Sequence, residues 1–172
     1  STPAASAWRT LIHGDLKAAN IFVREAGAND EGADVALIDF QFVGSGLAAT
    51  DLAHFVCGAV DAASLLDVDG ALVDGVLVDA YYEALLTAFV ARGAARDLDD
   101  AAARIAPRAE FDRQFEAGVV DMARLVSAYQ WPRIDASPKN LRSHASVAAR
   151  NSYNKHVRNA VWLVARTDLA LR

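Results

Sequence analysis

At 172 residues and 53% apolar side chains, the chain can build one large domain with a substantial core, or form part of a bigger protein. Its formal net charge of -5 argues against a general nucleic-acid binder. The single cysteine, Cys57, excludes an internal disulfide framework and fits a reducing compartment, and no apolar run reaches the ~18–20 residues of a membrane span, so a cytoplasmic location is expected.

The opening STPAASAWRT has neither a charged n-region nor a signal-type apolar stretch, and no initiator Met, so it reads as the interior of a longer protein. Thr10-Leu11-Ile12 is strand-like. His13-Gly14-Asp15 follows as a tight turn in which Gly14 permits unusual backbone angles. Asn20–Val23 and Val35–Ile38 predict two short strands, joined through the Gly/Asn/Asp-rich stretch 24–34 as a solvated hairpin connection. Asp39-Phe40-Gln41-Phe42 leads into a second glycine-rich turn, Gly44-Ser45-Gly46, with Phe40 expected to anchor the turn in the core.

Beyond this point the pattern is helical. Thr50-Asp51 opens an apolar segment through Leu52, Phe55, Val56 and Ala59. Asp67 and Asp69 are candidate caps for a long helix to about Arg92, with Val78, Tyr82, Leu85 and Phe89 on one face and the opposite side also apolar, hence expected to be buried nearly all round. Gly93 ends it. Leu98–Ile105 is a short helix closed by Pro107. Phe111, Phe115, Val119, Met122, Val126 and Tyr129 form an amphipathic stripe that Trp131-Pro132 stops. Residues 133–144 read as a loop, and a last helix over about Ser146–Leu169 is expected to turn Tyr153, Val157, Val161 and Val164 inward. The fold class is α+β, with the chemistry-bearing turns on the β part and the bulk in helices.

Three residues stand at the ends of short apolar runs. Asp15, after a glycine turn, can accept a proton from a hydroxyl and orient it for attack, although taken alone an Asp in this place reads first as a turn residue capping its own backbone. Asn20, five positions later, can fold back beside that carboxylate. A neutral oxygen next to an anionic one suits Mg²⁺, with phosphate oxygens completing the charge. Asp39 ends the next strand and could hold the same metal on nucleotide phosphates. Together these point to phosphoryl transfer from a Mg²⁺-bound nucleotide.

HGDLKAAN, then IDFQ, then TDLAHF resembles the kinase-like small-molecule phosphotransferases, the aminoglycoside phosphotransferase and choline kinase group, most closely its ecdysteroid-kinase-like (CHK) branch. Gln41, where protein kinases place glycine, and the spacing to Asp51-Leu52-Ala53 are similar to that branch. The resemblance covers about residues 10–130. It implies Asp15 as catalytic base, Asn20 and Asp39 as Mg²⁺ ligands, and Asp51 as a structural carboxylate bonded to the loop backbone near His13. It also implies ATP and Mg²⁺ as cofactors and a mostly helical protein-kinase-like C-lobe: one domain over 1–172, with the catalytic and metal loops at 10–60 and a helical subdomain at 61–172.

Lys17 could reach the transferred phosphate or lie solvated on the surface. His13 is read as packing and hydrogen-bonding to hold the loop. Twelve positions separate Asp39 from Asp51, too few for the segment that presents a peptide, so a small-molecule hydroxyl acceptor is expected. Only twelve residues precede His13, so the phosphate-covering glycine loop and Lys–Glu pair of an N-terminal lobe are absent here and expected in the full-length protein.

Other features take plainer readings. Asp67-Val68-Asp69-Gly70 lacks the ligand spacing of a calcium loop. His54 and Cys57 lack partners for zinc and read as a buried, satisfied pair. Lys139, Arg142, Arg150, Lys155, Arg158 and Arg166 could attract an anion or form a solvated face. Tyr129, Trp131, Tyr153 and Trp162 could line an acceptor pocket or pack in the core. Two rival readings accompany the phosphotransferase: a catalytically incompetent fragment or pseudokinase binding module, and a purely structural helical domain in which Asp15, Asn20 and Asp39 lie scattered.

Overall fold

The computed structural model describes residues 9–24, 34–133, 137–139 and 157–172. Four short strands come first: β1 (Arg9–Ile12), β2 (Ile21–Arg24), β3 (Asp34–Leu37) and β4 (Gly44–Leu47). They form two antiparallel pairs, the β2–β3 hairpin expected from sequence and a β1–β4 pair between distant strands.

The β1–β4 pair departs from the sequence reading, in which Gly44-Ser45-Gly46 is a turn. Thr10 stands opposite Gly46 and Ile12 opposite Gly44. A Cβ on Gly46 would lie 2.4 Å from the Ile12 Cδ1, so the missing side chain is what lets Ile12 lie across its partner strand. Pairing β1 with β4 brings the turn after Ile12 alongside the segment that enters the first helix.

The helices are α1 (Ala48–Ala59), α2 (Gly75–Ala91), α3 (Leu98–Asp100, continuing as a π turn over Ala101–Ile105), α4 (Arg108–Leu125) and α5 (Val157–Ala170). The architecture is α+β and mostly helical, with two small sheets. Among the described residues no helix is long and apolar enough to cross a membrane.

The core lies where α1 crosses α4. Leu52, Ala53, Val56 and Cys57 on α1 meet Phe111, Phe115, Val119 and Met122 on α4, all buried. The α4 stripe is as the spacing predicts through Val126, but Tyr129 is exposed. The helical path also runs past the expected stop, as a π turn (Val126–Gln130) and a 3-10 turn (Trp131–Arg133) that places Pro132 inside its last coil. The crossing is close: a Cβ on Gly118 would sit 2.7 Å from the Ala53 Cβ.

Helix α2 starts at Gly75, not after Asp67 or Asp69. The Asp67 carboxylate instead accepts from the Asp69 and Ala71 amides and closes a turn of its own. The helix is buried on one face through Val78, Tyr82 and Leu86, while Val76 is exposed, so it is not covered all round. Its anchor is Tyr82, whose hydroxyl donates to the Ala106 carbonyl at 2.5 Å beneath the Phe111 ring.

Helix α5 shows a different face from the one expected. Val157, Val161 and Val164 are exposed, and Asn159, Trp162 and Leu163 are buried. Polar anchors set the rotation: Asn159 donates to the Val60 carbonyl at 3.1 Å, and Arg166 pairs with Asp74 at 3.1 Å. The inward expectation for Tyr153 and the predicted helix start near Ser146 lie outside the described residues, as do most of the 133–144 segment and Arg142, Arg150 and Lys155. Of the remaining basic residues, Arg158 donates to the Asp67 carbonyl at 2.8 Å, Arg166 is nearly buried against Asp74 and Glu116, and Lys139 is exposed.

Candidate functional site

The segment from His13 to Asn20 folds back on itself between β1 and β2. Gly14 makes the turn with φ +80°, and a Cβ there would meet the Phe42 carbonyl oxygen at 2.5 Å, so both the backbone angle and the close approach require glycine. The carboxylate of Asp51, in the first turn of α1, accepts from two consecutive amides, His13 at 2.6 Å and Gly14 at 2.9 Å. The loop is thereby fastened to the helix that forms the core.

His13 is buried and joins the two halves of the site. Its Nε2 donates to the Ile38 carbonyl at 2.8 Å, and its Nδ1 accepts from the Asp15 amide at 3.3 Å. This pattern places the ring proton on Nε2. The Phe40 ring tilts against it at 4.9 Å but is itself about half exposed, so Phe40 does not anchor its turn in the core as expected.

Asp15 and Asn20 are both buried and in direct contact. The Asn20 Nδ2 donates to the Asp15 backbone carbonyl at 2.9 Å and to its carboxylate at 3.2 Å. Lys17 Nζ pairs with the same carboxylate oxygen at 2.5 Å. The 3-10 turn Ala18–Asn20, closed by the Asn20 amide donating to the Lys17 carbonyl, sets the span between the two side chains.

Asp39 reaches this cluster through the backbone. The Ile38 amide donates to the Asn20 carbonyl at 3.1 Å, which brings the exit of β3 beside the end of the loop. Asp39 follows with φ 63° and ψ 59°, the left-handed region, and its residue is exposed. No hydrogen bond or ion pair engages the Asp39 carboxylate among the described residues, and Asn20 spends its Nδ2 on Asp15, which leaves Oδ1 as a free acceptor. Hard oxygen donors of this kind fit Mg²⁺, which binds through one or two protein oxygens with water and phosphate completing its shell. Among the described residues no three His, Cys, Asp or Glu side chains cluster as a self-sufficient metal cage would require.

One residue near the loop corrects the sequence reading of a buried, satisfied His54–Cys57 pair. His54, one turn along α1 from Asp51, is not a satisfied partner of Cys57: its Nδ1 is buried without a hydrogen bond among the described residues. Burial holds its pKa below the usual imidazole value, against the opposing pull of Asp51, Asp15 and Asp121 and of the Gly14 carbonyl. The available signal was its i, i+3 spacing to Asp51 in TDLAHF. Cys57 is fully buried, and desolvation raises its thiol pKa far above the normal range.

No curated protein and no solved structure gives a significant match to this chain. The sequence model of the ecdysteroid kinase-like family matches residues 1–89, a span that contains the whole His13–Asn20 loop, the β2–β3 hairpin, Asp39, α1 and most of α2. With more than half of its length matched, including every residue of the candidate site, the chain belongs to the ecdysteroid kinase-like family of kinase-like phosphotransferases.

Proposed function

We propose that this chain is the C-terminal catalytic lobe of an ATP-dependent phosphotransferase that acts on a hydroxyl group of a small molecule. The observation that carries the reading is the double contact between Asn20 and Asp15 in a loop braced by Asp51. In this reading Asp15 is the base. Its carboxylate is held by Asn20 and Lys17, oriented to accept the acceptor's hydroxyl proton as the oxygen attacks the γ-phosphorus. Lys17 then shifts charge toward the transferred phosphoryl group. Asn20 and Asp39 would hold Mg²⁺, which when bound supplies charge neutralisation on the nucleotide phosphates.

The chain works as one domain over 1–172, with loops 10–60 carrying the chemistry and 61–172 forming the wall against which an acceptor is held. Exposed Leu11, Phe22, Val35, Ile38, Phe40 and Phe42 in the β region support an N-terminal lobe that covers this side and completes the nucleotide site.

The test uses the full-length protein. Asp15→Asn is expected to abolish transfer while nucleotide binding persists, and Asp39→Ala to lose the Mg²⁺-dependent part of ATP binding in calorimetric titrations with and without the metal. Undiminished turnover in Asp15→Asn would overturn the assignment of the base.

A further inference from the structure

Among the described residues only Asp39 has a left-handed backbone without being glycine, at φ 63° and ψ 59°. An L-residue avoids that region because its Cβ crowds the following carbonyl, so its surroundings must hold it there. The Asp39 side chain does not supply the hold, since it makes no capping bond to the turn it starts. Its neighbours do. On one side the Ile38 amide donates to the Asn20 carbonyl at 3.1 Å, and the Ile38 carbonyl accepts from His13 Nε2 at 2.8 Å. That carbonyl and the Asp39 amide share one peptide plane, so fastening the first orients the second. On the other side the Phe40 ring lies tilted against the His13 ring at 4.9 Å. One imidazole therefore meets both the residue before Asp39 and the residue after it. We propose that His13 is a positioning residue for Asp39: bonded to Ile38 and packed on Phe40, it keeps Asp39 in its left-handed conformation and so fixes where that carboxylate stands relative to Asp15.

His13 can do this because it is itself held firmly. It is buried, its amide donates to the Asp51 carboxylate at 2.6 Å, and its Nδ1 accepts from the Asp15 amide at 3.3 Å. The two ring nitrogens thus serve opposite halves of the site, Nε2 the exit of β3 and Nδ1 the residue read as the base. Phe40 is about half exposed and lies outside the core cluster, so the His13 ring is the aromatic surface it packs on. Next to His13, Gly14 approaches the Phe42 carbonyl so closely that a Cβ would fall 2.5 Å from its oxygen, which seats the Phe40–Phe42 turn against the loop.

The consequence for nucleotide binding rests on the phosphotransferase reading; the hold on the Asp39 backbone does not. Two substitutions in the full-length protein separate the arms of the ring. His13→Gln carries an amide donor to about the place of Nε2 and keeps the bond to Ile38. His13→Asn reaches only as far as Nδ1, so it can accept from the Asp15 amide but leaves the Ile38 carbonyl unbonded. Asp39→Gly, made in the wild type and in each His13 variant, reads the strain by thermal melting. In the wild type it is expected to raise Tm by about 2–4 °C. His13→Gln should keep that gain, and in His13→Asn it should fall below about 1 °C, because an unheld Asp39 has already relaxed. An equal gain in the two His13 variants, or none in the wild type, overturns the proposal. Should His13→Asn fail to fold, nitrogen NMR of the wild-type ring decides: a slowly exchanging proton on Nε2 with Nδ1 bare supports the hold on Ile38, and the reverse tautomer overturns it. If the protein binds nucleotide as proposed, His13→Asn should weaken the Mg²⁺-dependent part of ATP binding about tenfold in calorimetric titrations, and His13→Gln should leave it within about twofold. Absence of ATP binding in the wild type would sink the proposed function and leave the melting result standing.

Discussion

Asn20 reaches back five residues and touches Asp15 twice, once on the backbone carbonyl and once on the carboxylate. A side chain that bonds both the main chain and the functional group of another fixes its rotamer as well as its position. Asn20→Ala should therefore loosen the loop by about 2 kcal/mol, the loss expected when a buried charged acceptor loses its donor. Asn20→Asp should be worse at neutral pH, because it sets one carboxylate beside another. Thermal melts of the two variants should differ at pH 7 and converge as the pH is lowered through the carboxylate range.

Asp51 carries two amides on one carboxylate. Asp51→Ala leaves both donors without their acceptor and is expected to cost about 3 kcal/mol or more in urea denaturation. Asp51→Asn retains one acceptor oxygen and should recover about half of that loss.

Gly118 sets the separation of α1 and α4. Alanine in a helix interior normally adds about 1 kcal/mol relative to glycine. Here the new Cβ would fall 2.7 Å from that of Ala53 in a rigid crossing, and overpacking of this kind costs about 1–3 kcal/mol. Gly118→Ala is therefore expected to be neutral to destabilising despite its better propensity, and Gly118→Val clearly destabilising. The pair Gly118→Ala with Ala53→Gly should recover stability, as a double-mutant cycle on denaturation midpoints would show.

Burial keeps the folded pKa of His54 below 6.5, in spite of Asp51, Asp15 and Asp121 around it. Below that value the unfolded chain takes up a proton that the folded chain refuses, so this residue's contribution is present at neutral pH, declines with acidification and levels off beneath the folded pKa. The melting temperature should fall from about pH 7.5 to about pH 5.5, and His54→Gln should flatten that slope.

What could be read from the chain beforehand was local. The His13–Asn20 loop, the β2–β3 hairpin and the α4 stripe each depend on residues close in sequence, where a glycine, an Asx side chain or a four-residue repeat acts directly on its neighbours. What escaped depends on distant partners. Gly44-Ser45-Gly46 has no strand propensity of its own and becomes a strand because β1 arrives beside it and Ile12 needs the space above Gly46. The valines of α5 formed the more apolar stripe, yet the helix turned them outward because Val60 and Asp74, far back in the chain, hold Asn159 and Arg166.

Among the described residues Asp39 is the one non-glycine residue whose backbone lies in the left-handed region. An L-amino acid there forgoes about 1–2 kcal/mol that glycine would keep, somewhat less for Asp than for most. A library screened only for heat tolerance would consequently be drawn to Asp39→Gly, and the hardiest clones it returned would be those that had quietly discarded an acid.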